Sequence, residues 1–197
     1  MPTLAETPAA QKPRALPRLI LMTDEKRLPD PFPALSRLGP EDAVILRHYL
    51  SPERQELARD LLSDCRQRGL RLLIGADARL ARQIGADGLH LPESMLRSKR
   101  ATWRLWQRPS WLLTAAAHSP AALARAARSG VDAALLTPVF ATASHTNAKP
   151  IGVTRFAIWT RAAGVPVYAL GGITKDSFPR LIQAGAVGRA GISGLIT

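Results

Sequence analysis

Glycine and hydroxyl residues follow strand-like segments in the last third of the chain. Gly171 and Gly172 come directly after VPVYAL, and Ser193 lies in the 191–194 turn that follows the next strand-like segment. At the carboxyl ends of neighbouring parallel strands, the backbone N–H groups of such residues can approach an anion closely. The pattern predicts a site for a phosphorylated small molecule, although Gly-Gly and Ser-Gly pairs also occur in ordinary turns.

A histidine at a strand end is the residue best suited to proton transfer in this chain. His118 follows the apolar segment LLTAAA and precedes a Ser-Pro helix start. Because an imidazole titrates near neutrality, it can both remove and return a proton, so His118 is the candidate catalytic acid–base. The alternative is a histidine that only hydrogen-bonds to a loop. His145 stands in a hydroxyl-rich loop and is a candidate contact for an anion, whereas His90 within GLHL is expected to pack in a strand.

Charged residues at other strand ends suggest ligand binding rather than metal binding. Arg47 ends the segment AVILR, and its guanidinium suits bidentate contact with phosphate or pyrophosphate, with a rim salt bridge as the alternative. The acids Asp24, Asp77 and Glu93 lack a pairing typical of Mg²⁺, and no Cys/His spacing suggests zinc. The residues therefore predict no metal site.

Alternating apolar and amphipathic segments predict how these residues are positioned. We expect eight strands, at 19–23, 43–47, 71–74, 88–91, 112–116, 133–136, 165–170 and 187–191. The helices between them are expected at 32–38, 52–68, 78–84, 94–107, 120–129, 153–163 and 175–184, with Ser-Pro starts at 51–52 and 119–120. Eight such units predict the α/β class and a (β/α)8 TIM barrel. An open doubly wound sheet is the alternative, but no GxGxxG or P-loop sequence supports it.

Length and composition limit the functional classes. The 197 residues suit one domain, which we assign to 18–197, after a disordered Pro/Ala-rich leader at 1–17. No apolar run is long enough to cross a membrane, and the single Cys65 suits a reducing cytoplasm as a packed thiol. The net charge of +12 raises nucleic acid as a partner. Arginines interleaved with tryptophans at 97–111 also fit a solvated helix face, so nucleic-acid binding is not the favoured interpretation.

Several segments together resemble the thiamine phosphate synthase/TenI family. They are LILMTD, AVILR, IGADGLHL, LLTAAAHS, GVDAALLTPVFATAS, VPVYALGGIT and the 185–196 block. The resemblance implies a phosphate-binding (β/α)8 barrel of thiamine biosynthesis. The synthase joins hydroxymethylpyrimidine pyrophosphate to thiazole phosphate with Mg²⁺, whereas some TenI-type relatives aromatise thiazole phosphate through the fifth-strand histidine, which matches His118. It also implies thiazole phosphate contacts at Gly171, Gly172, Ile192 and Ser193, and pyrophosphate-region contacts at Arg47, Thr142 and Ser144.

The chain departs from the synthase pattern mainly in the pyrophosphate region. The positions that differ, where the synthase pattern carries polar, acidic or basic residues, are Ile45, Tyr49, Gly75, Ala76, Met95, Ala116 and His145. A TenI-like tautomerase needs no cofactor and is the favoured function. The alternatives are a divergent synthase that uses Mg²⁺ and a non-catalytic protein that binds thiazole or thiamine phosphate. A homo-oligomer is possible in each case.

Overall fold

Eight parallel strands form a closed barrel, as the sequence predicts. The computed structural model describes residues 15–98, 100–142 and 149–192. Each strand pairs with its neighbour in chain order, and β8 closes the barrel against β1. The strands are β1 (Leu19–Met22), β2 (Ala43–Leu46), β3 (Arg71–Gly75), β4 (Gly88–Leu91), β5 (Leu112–Ala117), β6 (Ala133–Leu136), β7 (Val167–Leu170) and β8 (Gly188–Gly191). The open doubly wound sheet is therefore excluded.

Helices surround the barrel and bury one face each against it. They are α1 (Phe32–Leu35), α2 (Arg54–Gln67), α3 (Ala78–Ile84), α4 (Glu93–Arg97), α5 (Pro120–Arg128), α6 (Gly152–Arg161) and α7 (Phe178–Gln183). The Ser119 start is confirmed, because its Oγ accepts a hydrogen bond from the Ala122 N–H at 3.2 Å. Among the described residues, no helix is long and apolar enough to span a bilayer.

Two local predictions are wrong. The second helix begins at Arg54 rather than at 52, with Glu53 at the N-cap. The predicted helix over 94–107 is instead α4 followed by a separate 3₁₀ turn, Thr102–Leu105. Trp103 is buried, whereas Trp106 is 39% exposed, so these two tryptophans do not share one buried helix face.

The core fills the barrel and the layer between strands and helices. Strands β2, β4 and β6 are buried throughout, as expected for parallel strands covered on both faces. Cys65 is fully buried in α2, which confirms the predicted packed thiol. At the amino end, the hydroxyl of the buried Tyr168 donates to the Pro17 carbonyl, so residues next to β1 close that end of the barrel. The carboxyl end carries the candidate functional side chains.

Candidate active site

His118 and Glu93 meet where β4 and β5 end. His118 is the first residue after β5, and Glu93 is the first residue of α4, just beyond β4. The two strands pair in register, so their carboxyl ends lie side by side. His118 Nδ1 is 2.8 Å from Glu93 Oε2, and the side chains are 43% and 8% exposed. An accessible imidazole is thus supported by a buried carboxylate, which is an arrangement suited to proton transfer.

Hydrogen bonds keep Glu93 ionised in spite of its burial. Burial raises the pKa of this carboxyl, but hydrogen bonds from Arg97 and His118 outweigh it and hold the pKa at about 2, below the ordinary 4.5. Arg125 of α5 adds a further contact, with Nη2 2.8 Å from Glu93 Oε1. Glu93 is therefore a hydrogen-bond acceptor only, at any pH near neutrality.

The predicted phosphate-binding residues follow two neighbouring strands. Gly171 and Gly172 come directly after β7, and Ile192 follows the last residue of β8. These strands pair in parallel, so both turns stand at the same edge of the barrel. Ser193 lies outside the described residues. A shared phosphate site at this edge stays a prediction.

The backbone at Gly172 is closely covered by the segment that follows β6. A Cβ atom at Gly172 would lie 2.4 Å from the carbonyl oxygen of Ala141 and 2.9 Å from the Cβ of Phe140. The residue also has φ of +64°, which side chains rarely tolerate. Glycine is thus required here for packing, independently of any ligand. Of the predicted contacts further along this segment, Thr142 is half-buried, and Ser144 and His145 lie outside the described residues.

Arg47 follows β2 and places its positive charge beside a neutral histidine of β4, His90. His90, which is 2% exposed, hydrogen-bonds through Nδ1 to Thr114 Oγ1 at 2.9 Å, so it is the packed strand residue predicted. Burial, assisted by the charge of Arg47, lowers the pKa of His90 to about 3. Within residues 15–98, 100–142 and 149–192, the Arg47 guanidinium makes no hydrogen bond or ion pair. It is therefore available to an anion from solution.

The carboxylates of the other two strand-end acids are occupied by nearby backbone N–H groups and arginines. Both oxygens of Asp24 are engaged, Oδ1 by the N–H groups of Lys26 and Arg27 and Oδ2 by the Arg27 guanidinium. Although burial opposes it, these hydrogen bonds lower the pKa of Asp24. Asp77 caps α3 by accepting from the Leu80 N–H at 2.8 Å, and its other oxygen lies 3.5 Å from Arg54. In the described part of the chain, no three His, Cys, Asp or Glu residues cluster as metal ligands would.

Tyr49 covers the end of β3. A Cβ atom at Gly75 would lie 2.9 Å from the Tyr49 hydroxyl and 2.8 Å from the Leu46 carbonyl oxygen. Arg54 lies 5.6 Å from the centre of the Tyr49 ring and donates to the Gly75 carbonyl at 2.6 Å. An aromatic ring and an arginine therefore occupy the surface beside β3, where no side chain larger than hydrogen fits at position 75.

The family model described as thiamine monophosphate synthase matches residues 25–195. The chain belongs to this family. It is 33% identical over 181 residues to the thiamine-phosphate synthase of Chlorobium luteolum, covering 90% of this chain and 84% of that protein. It is 32% identical over 188 residues to that of Methanoculleus marisnigri, covering 90% and 87%. Among solved structures, thiamine phosphate pyrophosphorylase from Pyrococcus furiosus superposes with a TM-score of 0.75, at 24% identity and with 89% and 85% coverage, which supports the fold.

Family membership confirms the resemblance found in the sequence, and the structure adds a residue that sequence reasoning missed. In the sequence, Glu93 stands out only as a possible metal ligand, whereas in the structure it contacts His118 directly. The signal was present in the order of the strands. Side chains just beyond consecutive parallel strands lie next to each other, so an acid after β4 and a histidine after β5 are candidates for a pair.

Proposed function

We propose that this family member acts in thiamine biosynthesis as a tautomerase, aromatising a thiazole phosphate by proton transfer at His118. The observation that carries the proposal is the hydrogen bond between the accessible His118 and the buried, ionised Glu93. Aromatisation of a non-aromatic tautomer moves one proton between carbon atoms and releases no leaving group. A single imidazole can remove that proton and return it.

Binding of the phosphate would fall to the strand ends on the other side of the barrel. We assign Gly171, Gly172, Ile192 and Ser193 to the thiazole phosphate, because backbone N–H groups at parallel strand ends suit an anion. Arg47 would attract the ligand through its uncompensated charge. Thr142, Ser144 and His145 are proposed as further substrate contacts. The buried single cysteine fits a cytoplasmic protein.

The tautomerase reaction needs no cofactor, and this agrees with the state of the strand-end acids. Asp24 and Asp77 are held by arginines and backbone N–H groups, and Glu93 is held by two arginines and His118. A carboxylate with these partners does not offer Mg²⁺ an open oxygen-ligand set. The described residues do not fit a magnesium site, so we derive no step through a metal.

The second candidate is thiamine phosphate synthesis from hydroxymethylpyrimidine pyrophosphate and thiazole phosphate. It is favoured by the names of the relatives, which match over most of their length. In that case, Arg47 and the residues after β6 would have to balance the pyrophosphate charge. A protein that only binds thiazole or thiamine phosphate is the third possibility.

Two assays distinguish these functions. The purified protein is first incubated with Mg²⁺, hydroxymethylpyrimidine pyrophosphate and thiazole phosphate, and thiamine phosphate is measured. Its formation would replace the tautomerase proposal with the synthase. If none forms, the non-aromatic thiazole phosphate tautomer is supplied without metal, and formation of the aromatic product is followed. We expect turnover in this second assay. Binding of thiamine phosphate without any turnover would support the non-catalytic alternative.

A further inference from the structure

We propose that Glu93 is the positioning residue for His118, holding its imidazole as the tautomer with hydrogen on Nδ1 and the lone pair on Nε2. The catalytic consequence of this inference rests on the proposed function. Its structural content does not, because the position of a hydrogen on a histidine ring can be measured without substrate.

The two oxygens of Glu93 have separate partners. Oε1 accepts hydrogen bonds from Arg97 Nη2 at 2.6 Å, from Arg97 Nε at 3.2 Å and from Arg125 Nη2 at 2.8 Å. Oε2 is hydrogen-bonded to His118 Nδ1 at 2.8 Å. A carboxylate oxygen has about two lone-pair directions, so three arginine N–H groups fill Oε1. The carboxylate cannot rotate without losing them, and Oε2 stays directed at the histidine.

The protonation state of the pair follows from these contacts. An ionised carboxylate has no hydrogen to donate, so the hydrogen between Oε2 and Nδ1 must belong to the ring. The lowered pKa of Glu93 agrees with this, since the carboxyl stays ionised at any pH near neutrality. In the neutral ring, the lone pair is then on Nε2, the nitrogen remote from Glu93.

Three separate elements fix the geometry. Glu93 and Arg97 stand at the two ends of α4, Arg125 belongs to α5, and His118 joins β5 to α5. Arg97 is 67% exposed and Arg125 only 27%, so the contact from α5 is less screened by water. Glu93 therefore links helix α4 to helix α5 through Arg125, and it does so next to His118, the residue proposed to transfer the proton.

The contacts of Glu93 predict that Glu93→Gln changes the tautomer of His118. A glutamine side chain has one amide oxygen and one NH₂ group, and the arginines can only donate. The amide oxygen is thus expected at the position of Oε1, which turns the NH₂ group toward His118. Nδ1 then becomes an acceptor, and the ring hydrogen moves to Nε2. The substitution keeps the size of the side chain and inverts the tautomer. Glu93→Asp retains a carboxylate and is the conservative rescue variant.

The test is nitrogen-15 NMR of the histidine rings, with long-range proton couplings that identify which ring nitrogen carries hydrogen. The chain has four histidines, and a His118→Asn spectrum assigns the His118 signals by their loss. We expect the Nδ1–H form in the wild type, the Nε2–H form in Glu93→Gln and the Nδ1–H form in Glu93→Asp. Glu41→Gln is the matched control, because Glu41 is paired with Arg71 far from His118, at the amino end of the barrel.

Tautomerase rates are measured on the same variants. We expect kcat of Glu93→Gln to fall by about 100-fold, as for loss of a correctly oriented acid–base, and Glu93→Asp to keep more of the rate. An Nε2–H ring in the wild type would overturn the inference even if every variant failed to fold. So would an Nδ1–H ring with full activity in Glu93→Gln. If the tautomer changes as expected but the wild type has no tautomerase activity, the proposed function fails and the positioning role remains.

Discussion

The acid at the carboxyl ends of β4 and β5 differs from the acids that follow β1 and β3 in the hydrogen-bond partners of its two oxygens. Glu93 gives one oxygen to two arginines and keeps the other for His118. Asp24 and Asp77 give both oxygens to neighbouring N–H groups and arginines. All three acids follow a strand in the same barrel. The difference teaches that position at the active end does not make an acid functional, because its remaining lone pairs decide what it can bind.

Removing His118 is the strongest test of the β4–β5 side. His118→Ala is expected to lower kcat for thiazole phosphate aromatisation by about 10²–10⁴-fold, the usual contribution of a general acid–base. The variant also loses the hydrogen bond to the buried Glu93 carboxylate, which should lower the free energy of unfolding by about 1.5–3 kcal/mol. Urea unfolding is the control that shows the variant to be folded under the assay conditions. A variant that retains the wild-type rate would remove His118 from the mechanism.

The stability contributed by ionised Glu93 depends on pH in a defined direction. Its folded pKa of about 2 lies below the ordinary 4.5, so its contribution is full above about 4.5 and is lost as pH falls toward 2. At about 1.4 kcal/mol per pKa unit, the contribution is on the order of 3 kcal/mol. Urea unfolding of wild type and Glu93→Gln should therefore differ most at pH 6 to 7, less at pH 3, and converge as the pH approaches 2. A difference that is constant with pH would contradict an ionic role.

Arg47, which follows β2, tests whether this part of the barrel mouth binds substrate. Charge-assisted hydrogen bonds to an anion contribute about 1.5–3 kcal/mol, so Arg47→Ala should raise KM for the thiazole phosphate by about 10–100-fold. kcat should change less, since Arg47 is not the proposed proton carrier. Arg47→Lys, which keeps the charge without the planar fork, should recover part of the loss. An unchanged KM in both variants would exclude Arg47 from substrate binding and leave the phosphate to the turns after β7 and β8.

The sequence predicted the barrel well because periodicity and turn residues are local signals. Strands β4 and β6 have the predicted bounds, and Gly85 ends α3 with φ of +75° as a helix-stopping glycine should. The helix over 94–107 was predicted wrongly because Trp103 and Trp106 suggested one apolar face, whereas α4 ends at Arg97 and a separate 3₁₀ turn begins at Thr102. The partners of Glu93 and the placement of Tyr49 over Gly75 join different strands and helices. Such contacts depend on side-chain directions that one sequence does not encode locally.

Asp77 provides the smallest effect and the clearest contrast with Glu93. If it serves only as the cap of α3, Asp77→Ala should lower the free energy of unfolding by about 0.5–2 kcal/mol, and Asp77→Asn should lower it much less because asparagine also caps helices. Turnover of folded protein should be unchanged in both variants, with or without added Mg²⁺. The asparagine variant is decisive, since it keeps the cap but loses the charge that a metal ligand needs. If Asp77→Asn stayed stable yet lost a Mg²⁺-dependent activity, the acid after β3 would have a chemical role. The contrast between Glu93 and the other two strand-end acids would then fail, and thiamine phosphate synthesis would become the better account of this chain.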